Sequence, residues 1–202
     1  MRTTQPNSKT KTKLLDSAQE LMAAKGFSAT SVDEICQRAK LTKGSFFHYF
    51  ESKEDLGKEL LRRFSLSCQY KMKEAVLKEV DPLKRVYGYL DFAVAMTQEC
   101  SGSPSSQGCL VGNIAQQMSD THPQIRRICA QVFDAWAKIF QGDLDQAKIK
   151  YALKSKLDTQ SLAQYFIAIL EGSQLLAKTK QDAGIVKKNM QHFKVYLQRL
   201  FE

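Results

Sequence analysis

The sequence predicts an all-α protein, and three observations predict it. Apolar residues recur three and four positions apart along most of the chain, with no sustained period-2 alternation. Only four prolines and ten glycines interrupt 202 residues. Polar capping residues stand just before apolar runs, as at Ser31, Thr42 and Ser52. An apolar content of 43% is ample for a buried core, in one small domain followed by a larger one.

Residues 1–8 read as a disordered arm. Arg2, Lys9, Lys11 and Lys13 precede the first acid, Asp16, so the arm and first turn are positive: a solvated tail, or one that touches phosphates. The first helix spans about Ser8 to Lys25, with Leu14, Leu15, Ala18, Leu21 and Met22 at helical spacing. Gly26 ends it, because the residue past a helix often takes positive φ. The second helix begins at Ser31. With Glu34 three residues on, Ser31 makes a capping box, and Asp33 also suits the helix dipole. Val32, Ile35, Cys36 and Ala39 face inward, Cys36 as a small core residue. A short turn follows, Ala39 to Leu41, with Leu41 plugging the gap between helices. Thr42 caps a third helix, Lys43 to about Tyr49, and Ser52 caps a fourth with Glu54 and Asp55 in its first turn.

Further helices are expected at about 53–79, 82–100, 109–119, 123–146, 159–180 and 184–201. Pro82 and Pro123 fit first-turn positions. CSGSPSSQG, residues 100–108, is the clearest loop. AKIKYALKSK, residues 147–156, reads as a basic bridge between helices.

The third helix is the informative one. It is about two turns long and carries polar, basic and aromatic residues where a core helix would carry aliphatics. Such a helix suits insertion into a DNA groove. The net charge of +9 is compatible with a polyanionic partner, nucleic acid or anionic membrane. There is no secretory h-region and no apolar run of membrane-spanning length, so no membrane association is expected. Five cysteines lack CxxC spacing, which argues against a zinc knuckle or redox dithiol and fits the reduced cytoplasm. No Ser/His/Asp order, phosphate loop or HExxH motif appears, and His48, His122 and His192 lie far apart in sequence. No catalytic residue, cofactor or metal is expected.

Residues 9–57 resemble the DNA-binding domain of the TetR family of transcriptional regulators. The Gly26–Phe27 pair, TSVDEICQRA and LTKGSFFHYFESKEDL carry the resemblance. GCLVGN from Gly108 and EGSQLLAK from Glu171 resemble a sub-branch that contains electrophile-responsive repressors. The resemblance implies a three-helix DNA-binding domain, 1–52, and a helical regulatory and dimerisation domain, 53–202. It implies a repressor that binds a palindromic double-stranded DNA operator as a homodimer and is released by a small-molecule or electrophile inducer. The alternative from another class is a helical small-molecule or redox sensor that acts through protein partners without binding an operator.

On this reading the third helix lies in the major groove and exposes Thr42, Lys43, Gly44, Ser45 and His48. Gly44 lets backbone approach DNA. Lys43 reaches a guanine edge or a phosphate, and His48 a phosphate or a base edge. Phe47 stands where the family commonly has tyrosine, so van der Waals contact with the backbone replaces a hydroxyl contact. Thr30, Ser31 and Lys53, at helix starts, position phosphates. Phe46, Tyr49 and Phe50 pack the small domain.

One short helix reads too few base pairs alone, so a two-fold dimer is expected. Its surface comes from the last two helices: Leu162, Tyr165, Phe166, Ile169, Leu170, Ser173 and Leu176 beside Gly172, then Phe193, Tyr196, Leu197, Leu200 and Phe201. Much of that apolar content also serves the core. The ligand pocket implied by the resemblance draws on Phe64, Cys68, Tyr89, Phe92, Met96, Leu110, Asn113, Phe133 and Trp136, each alternatively plain core. Cys109 starts a helix, which lowers a thiol pKa, and Lys178 is expected to face it. Cys109 is therefore either an electrophile or oxidant sensor or a structural thiol near the pocket.

Overall fold

The computed structural model describes residues 6–99, 108–152 and 157–202, the side chains of 6–8 and 99 excepted. Among them are nine helices and no strand: α1 Pro6–Lys25, α2 Val32–Ala39, α3 Lys43–Tyr49, α4 Lys53–Val76, α5 Pro82–Glu99, α6 Leu110–Met118, α7 Pro123–Lys150, α8 Thr159–Lys180 and α9 Gly184–Phe201. The order follows the sequence pattern closely, and the boundaries differ where local chemistry differs. α1 starts at Pro6 rather than Ser8, since proline suits a first turn. α4 ends at Val76, three residues early. α7 continues past 146 to Lys150, because Ala147 extends the apolar stripe and is fully buried. Residues 147–150 are therefore helix, not bridge. Most of the expected loop 100–108, the end of the expected bridge at 153–156 and Arg2 lie outside the described residues.

α1, α2 and α3 form a head built on Leu14, Ala18, Met22, Ile35, Phe46 and Phe50, all at most 1% exposed. Leu56 and Leu60 of α4 enter the same core, which continues unbroken into the body. α7 is the centre of the body and packs against α4, α5, α6 and α8; α8 packs in turn on α9. At that seam the rings of Phe140 and Phe166 stack with centroids 4.3 Å apart, and Phe193 lies 6.1 Å from Phe166. α5 is tied to α7 by a buried charge. Asp143 accepts from Arg85 Nε at 2.8 Å and from Tyr89 Oη at 2.7 Å. Arg85 is also held by Gln146, so neither ion is stranded in the interior.

The head meets the body through α6. Gln117 Oε1 accepts the Ser28 N–H at 3.2 Å. Gly26, beside it, has φ +88°, and a Cβ there would collide with the Gln117 side chain. Left-handed backbone and close approach both call for glycine at that position. No described helix is long and apolar enough to cross a membrane.

Candidate nucleic-acid interface and ligand cavity

Ser31 caps α2 as its sequence suggests. Glu34 N donates to Ser31 Oγ at 3.2 Å, and Ser31 N donates to Glu34 Oε2 at 2.9 Å. A hydrogen bond from Lys25, then the two from Ser31, hold the Glu34 carboxyl down at about 2. Lys40 takes the left-handed conformation, φ 54°, and its N–H with that of Leu41 closes the end of α2. Leu41 is half-buried in the gap. Thr42 then caps α3: its Oγ1 accepts from Ser45 N at 3.1 Å and lies 3.1 Å from Ser45 Oγ. Those two hydroxyls are engaged with each other at the mouth of the helix.

α3 has only seven residues, too few to persist alone. Phe46, fully buried, and Phe50, 1% exposed, anchor it. Their burial turns Lys43, Gly44, Phe47 and His48 outward. Phe47 is 56% exposed, an unusual position for a large apolar ring. Lys43 Nζ rests 2.8 Å from Asp33 Oδ1, and that partner raises the lysine pKa. Both groups are exposed, so the pair is weak and Lys43 exchanges readily to an anion.

Two expected phosphate contacts are corrected. Thr30 is 1% exposed; its Oγ1 donates to Gly26 O at 2.8 Å and its N–H to Phe27 O. It braces the α1–α2 turn rather than facing solvent. Lys53 Nζ donates to the carbonyls of Phe27 at 3.0 Å and Thr30 at 2.8 Å, and sits 4.7 Å from the Phe27 ring centroid. Burial lowers its pKa. Lys53 locks α4 to the head, so its ammonium is already occupied.

The body holds a cavity of about 210 Å³. Phe64, Cys68, Tyr89, Phe92, Met96, Cys109, Leu110 and Trp136 line it. Asn113 and Phe133 do not: Asn113 stands beside Gly108, and Phe133 packs edge-on behind Trp136 at 5.9 Å. Phe166 and Leu170, expected at a dimer surface, line the cavity instead. The Tyr89 hydroxyl points away to Asp143, leaving its ring for the cavity. Sequence reasoning missed Gln19 and Ala23 of α1, which bring the head itself to the wall. It also missed Glu171 and Gln174 of α8. An acid flanked by Ile167, Leu170 and Gln174 on an apolar face was the available signal for Glu171.

The thiol of Cys109 is also corrected. Cys109 does cap α6, but burial, then the neighbouring Glu171, push its pKa well up. The helix terminus is outweighed, and Lys178 reaches Gly108 rather than the sulfur. Burial likewise raises the Glu171 carboxyl to about 7. Gly112 permits this packing, because a Cβ there would collide with the Glu171 carboxyl. Cys36 is a buried core residue. No group of residues suited to a metal occurs among the described residues.

At the outer face of α8 and α9 the expected dimer residues divide. Leu162, Phe166, Ser173, Phe193, Leu197 and Phe201 are buried within the subunit, and Ser173 Oγ accepts from Asn189 Nδ2 at 2.9 Å. They are core, because their side chains face α7 and each other. Ile169 and Leu200 are half-buried. Tyr165, Leu176 and Tyr196 are 52%, 45% and 45% exposed. Gly172 has open space where a side chain would be.

Residues 14–60 match the family model described as bacterial regulatory proteins, tetR family, and residues 88–192 match that of the transcriptional regulator LmrA/YxaF-like C-terminal domain. The transcriptional repressor DhaR of Mycobacterium sp. (strain GP1) is 27% identical over 84% of this chain and 82% of its own. The transcriptional regulator AcuR of Cereibacter sphaeroides is 30% identical over 82% of this chain and 74% of its own. The crystal structure of a regulatory protein TetR from Rhodobacter sphaeroides superposes with a TM-score of 0.80, 28% identity, and coverage of 91% and 96%. These relatives are regulators of transcription rather than enzymes, and none supports a sensor that works without DNA. Head, body and relatives agree, and the chain belongs to the TetR family of DNA-binding transcriptional regulators.

Proposed function

We propose that the protein is a homodimeric repressor. On this reading residues 1–52 read a palindromic operator and residues 53–202 dimerise and hold the inducer. The observation that carries the DNA reading is the division of α3. Phe46 is buried, and Lys43, Gly44, Phe47 and His48 lie outside. In a groove, Lys43 would leave Asp33 for a phosphate or a guanine edge. Gly44, with only Thr42 Oγ1 near it at 3.6 Å, would admit backbone closely. Thr42, Ser45 and the Ser31 end of α2 would meet backbone oxygens, and His48 and Phe47 would complete the face. Fluorescence anisotropy on DNA flanking the coding region tests this. The expected result is salt-sensitive binding to a palindrome, with K43A and H48A each about tenfold weaker. Equal affinity for unrelated DNA would overturn it.

The cavity supports release by a small molecule. A ligand there touches α1 through Gln19 and Ala23 and α6 through Cys109, the two helices that adjoin the α1–α2 turn. Binding would favour a dimer whose recognition helices no longer match successive grooves. The protonated state of Cys109 favours a reversible ligand over a thiol-reactive one. The response to a noncovalent inducer should survive C109S; release only by thiol-reactive compounds, abolished in C109S, would reverse that preference.

A further inference from the structure

We infer that the cavity is built for a small hydrophobic ammonium compound, with Glu171 as its counterion and Gln174 as its second acceptor. The inference rests on the cavity being the inducer site and names the chemistry of the inducer. Among the described residues that line the cavity there is no lysine, arginine or histidine. Its only acid is Glu171 on α8, whose carboxyl hydrogen-bonds the neutral Cys109 thiol from α6 and meets no cation. Lys178, two turns further along α8, lies against Gly108 instead. α1, α4, α5 and α7 present no charged side chain here; the titratable groups they add are the Cys68 thiol and Tyr89, whose hydroxyl donates to Asp143.

Gln174 is one turn from Glu171, and its buried Oε1 has no hydrogen-bond donor. The indole N–H of Trp136, a residue 6% exposed, has no acceptor. Polar atoms left unmatched at a cavity wall mark it as shaped for a hydrogen-bonding ligand, not for hydrocarbon alone. Of the charged or unmatched polar groups at the wall, the Glu171 carboxyl and Gln174 Oε1 accept and only Trp136 Nε1 donates, so the ligand's head donates to the first two. The wall is otherwise mostly apolar, and it includes Phe64, Phe92 and Trp136, whose ring faces attract cations. A carboxylate ligand would meet an acid and an unpaired carbonyl oxygen with nothing positive to balance it.

Trp136 is the chain's single tryptophan and lines the cavity, so its emission reports occupancy directly. The probes are 3-phenylpropylammonium, 3-phenylpropanol and 3-phenylpropanoate, matched in body and differing in charge. At pH 8 the ammonium should bind about tenfold tighter than the alcohol, and the carboxylate weakest. E171Q should bring the ammonium to the level of the alcohol. In the native chain the ammonium's advantage should shrink from pH 8 to pH 6, as Glu171 takes up its proton; this second measurement stands if E171Q does not fold. Alcohol binding with no preference for the ammonium, or a preference for the carboxylate, overturns the charge assignment and leaves the small-molecule cavity standing. A preference that persists in E171Q also overturns it. Failure of all three probes to change Trp136 emission overturns both.

Discussion

A carboxyl group shut away from water resists ionisation, and Glu171 shows the consequence. Its pKa moves up from the usual 4.5 to about 7 because of burial. The unfolded chain ionises first as pH rises, so stability present at pH 4 is lost between 4.5 and 7 and then levels off. The stability of E171Q minus that of the native chain should rise by about 3 kcal/mol across that interval in urea titrations. A difference independent of pH would show that the carboxyl is solvated. Glu34 works with the opposite sign. Its carboxyl is held near 2, so the cap on α2 is intact above 4.5 and is lost only as pH falls toward 2. Lys53 belongs to the same scale. K53M would leave the Thr30 carbonyl without its lysine donor and the Phe27 carbonyl with only the Thr30 N–H, and should cost about 1–3 kcal/mol by urea unfolding. A phosphate-contact role alone would leave stability unchanged. Sequence spacing placed Lys53 at a helix start, where a phosphate is the natural partner. What it could not convey was that three backbone carbonyls from residues 27–30 converge on the same point.

α3 illustrates what was legible at the scale of elements. Thr42, the seven-residue span and the inward Phe46 are local matters of capping and period, and they are visible in the chain. So are α2 with its capping box and the proline starts of α5 and α7. The end of α7 was less visible, because Lys148 and Lys150 mask a stripe that Ala147 continues. The cavity was harder. Its wall joins α1, α4, α5, α6, α7 and α8, and no one-dimensional pattern tells Phe166, which lines it, from Phe193, which packs behind. The dependence of α3 on its anchors gives a sharp expectation. F46A removes a fully buried ring and should cost about 3–5 kcal/mol. K43A, on the exposed side, should leave the melting temperature within error and still weaken DNA binding. Calorimetry and anisotropy on the two variants separate presentation of the helix from contact by it; equal melting losses would mean that Lys43 is structural.

At the scale of the molecule, the proposed homodimer needs a face that lets two heads act together, and the exposed stripe on α8 is the candidate. Tyr165, Ile169, Gly172 and Leu176 fall at intervals of four, three and four residues, so they share one helix face. Tyr196 of α9 adjoins it, with its ring 6.3 Å from that of Tyr165. The buried neighbours on these helices are committed to the subunit's own core, which leaves this narrow strip for a partner. A two-fold axis through it would set two copies of α3 apart, and specific reading of B-DNA needs a spacing of about 34–36 Å. Several of the head's basic groups stand in ion pairs. Lys11 pairs with Glu59, Lys25 with Glu34, Arg38 with Glu20 and Lys43 with Asp33. On the proposed reading, one head contacts too few base pairs to bind tightly alone, and affinity depends on having two. L176R places a charge at one end of the strip without touching the core, since Leu176 is 45% exposed. Sedimentation should find L176R monomeric, with unchanged helix content. Its affinity for a full palindrome should fall about a hundredfold or more, to that of a half-site. The slope of log affinity against log salt should fall to about half, because half the phosphates are then contacted. A dimeric L176R, or a monomer that still grips the palindrome, would place the interface elsewhere on the molecule.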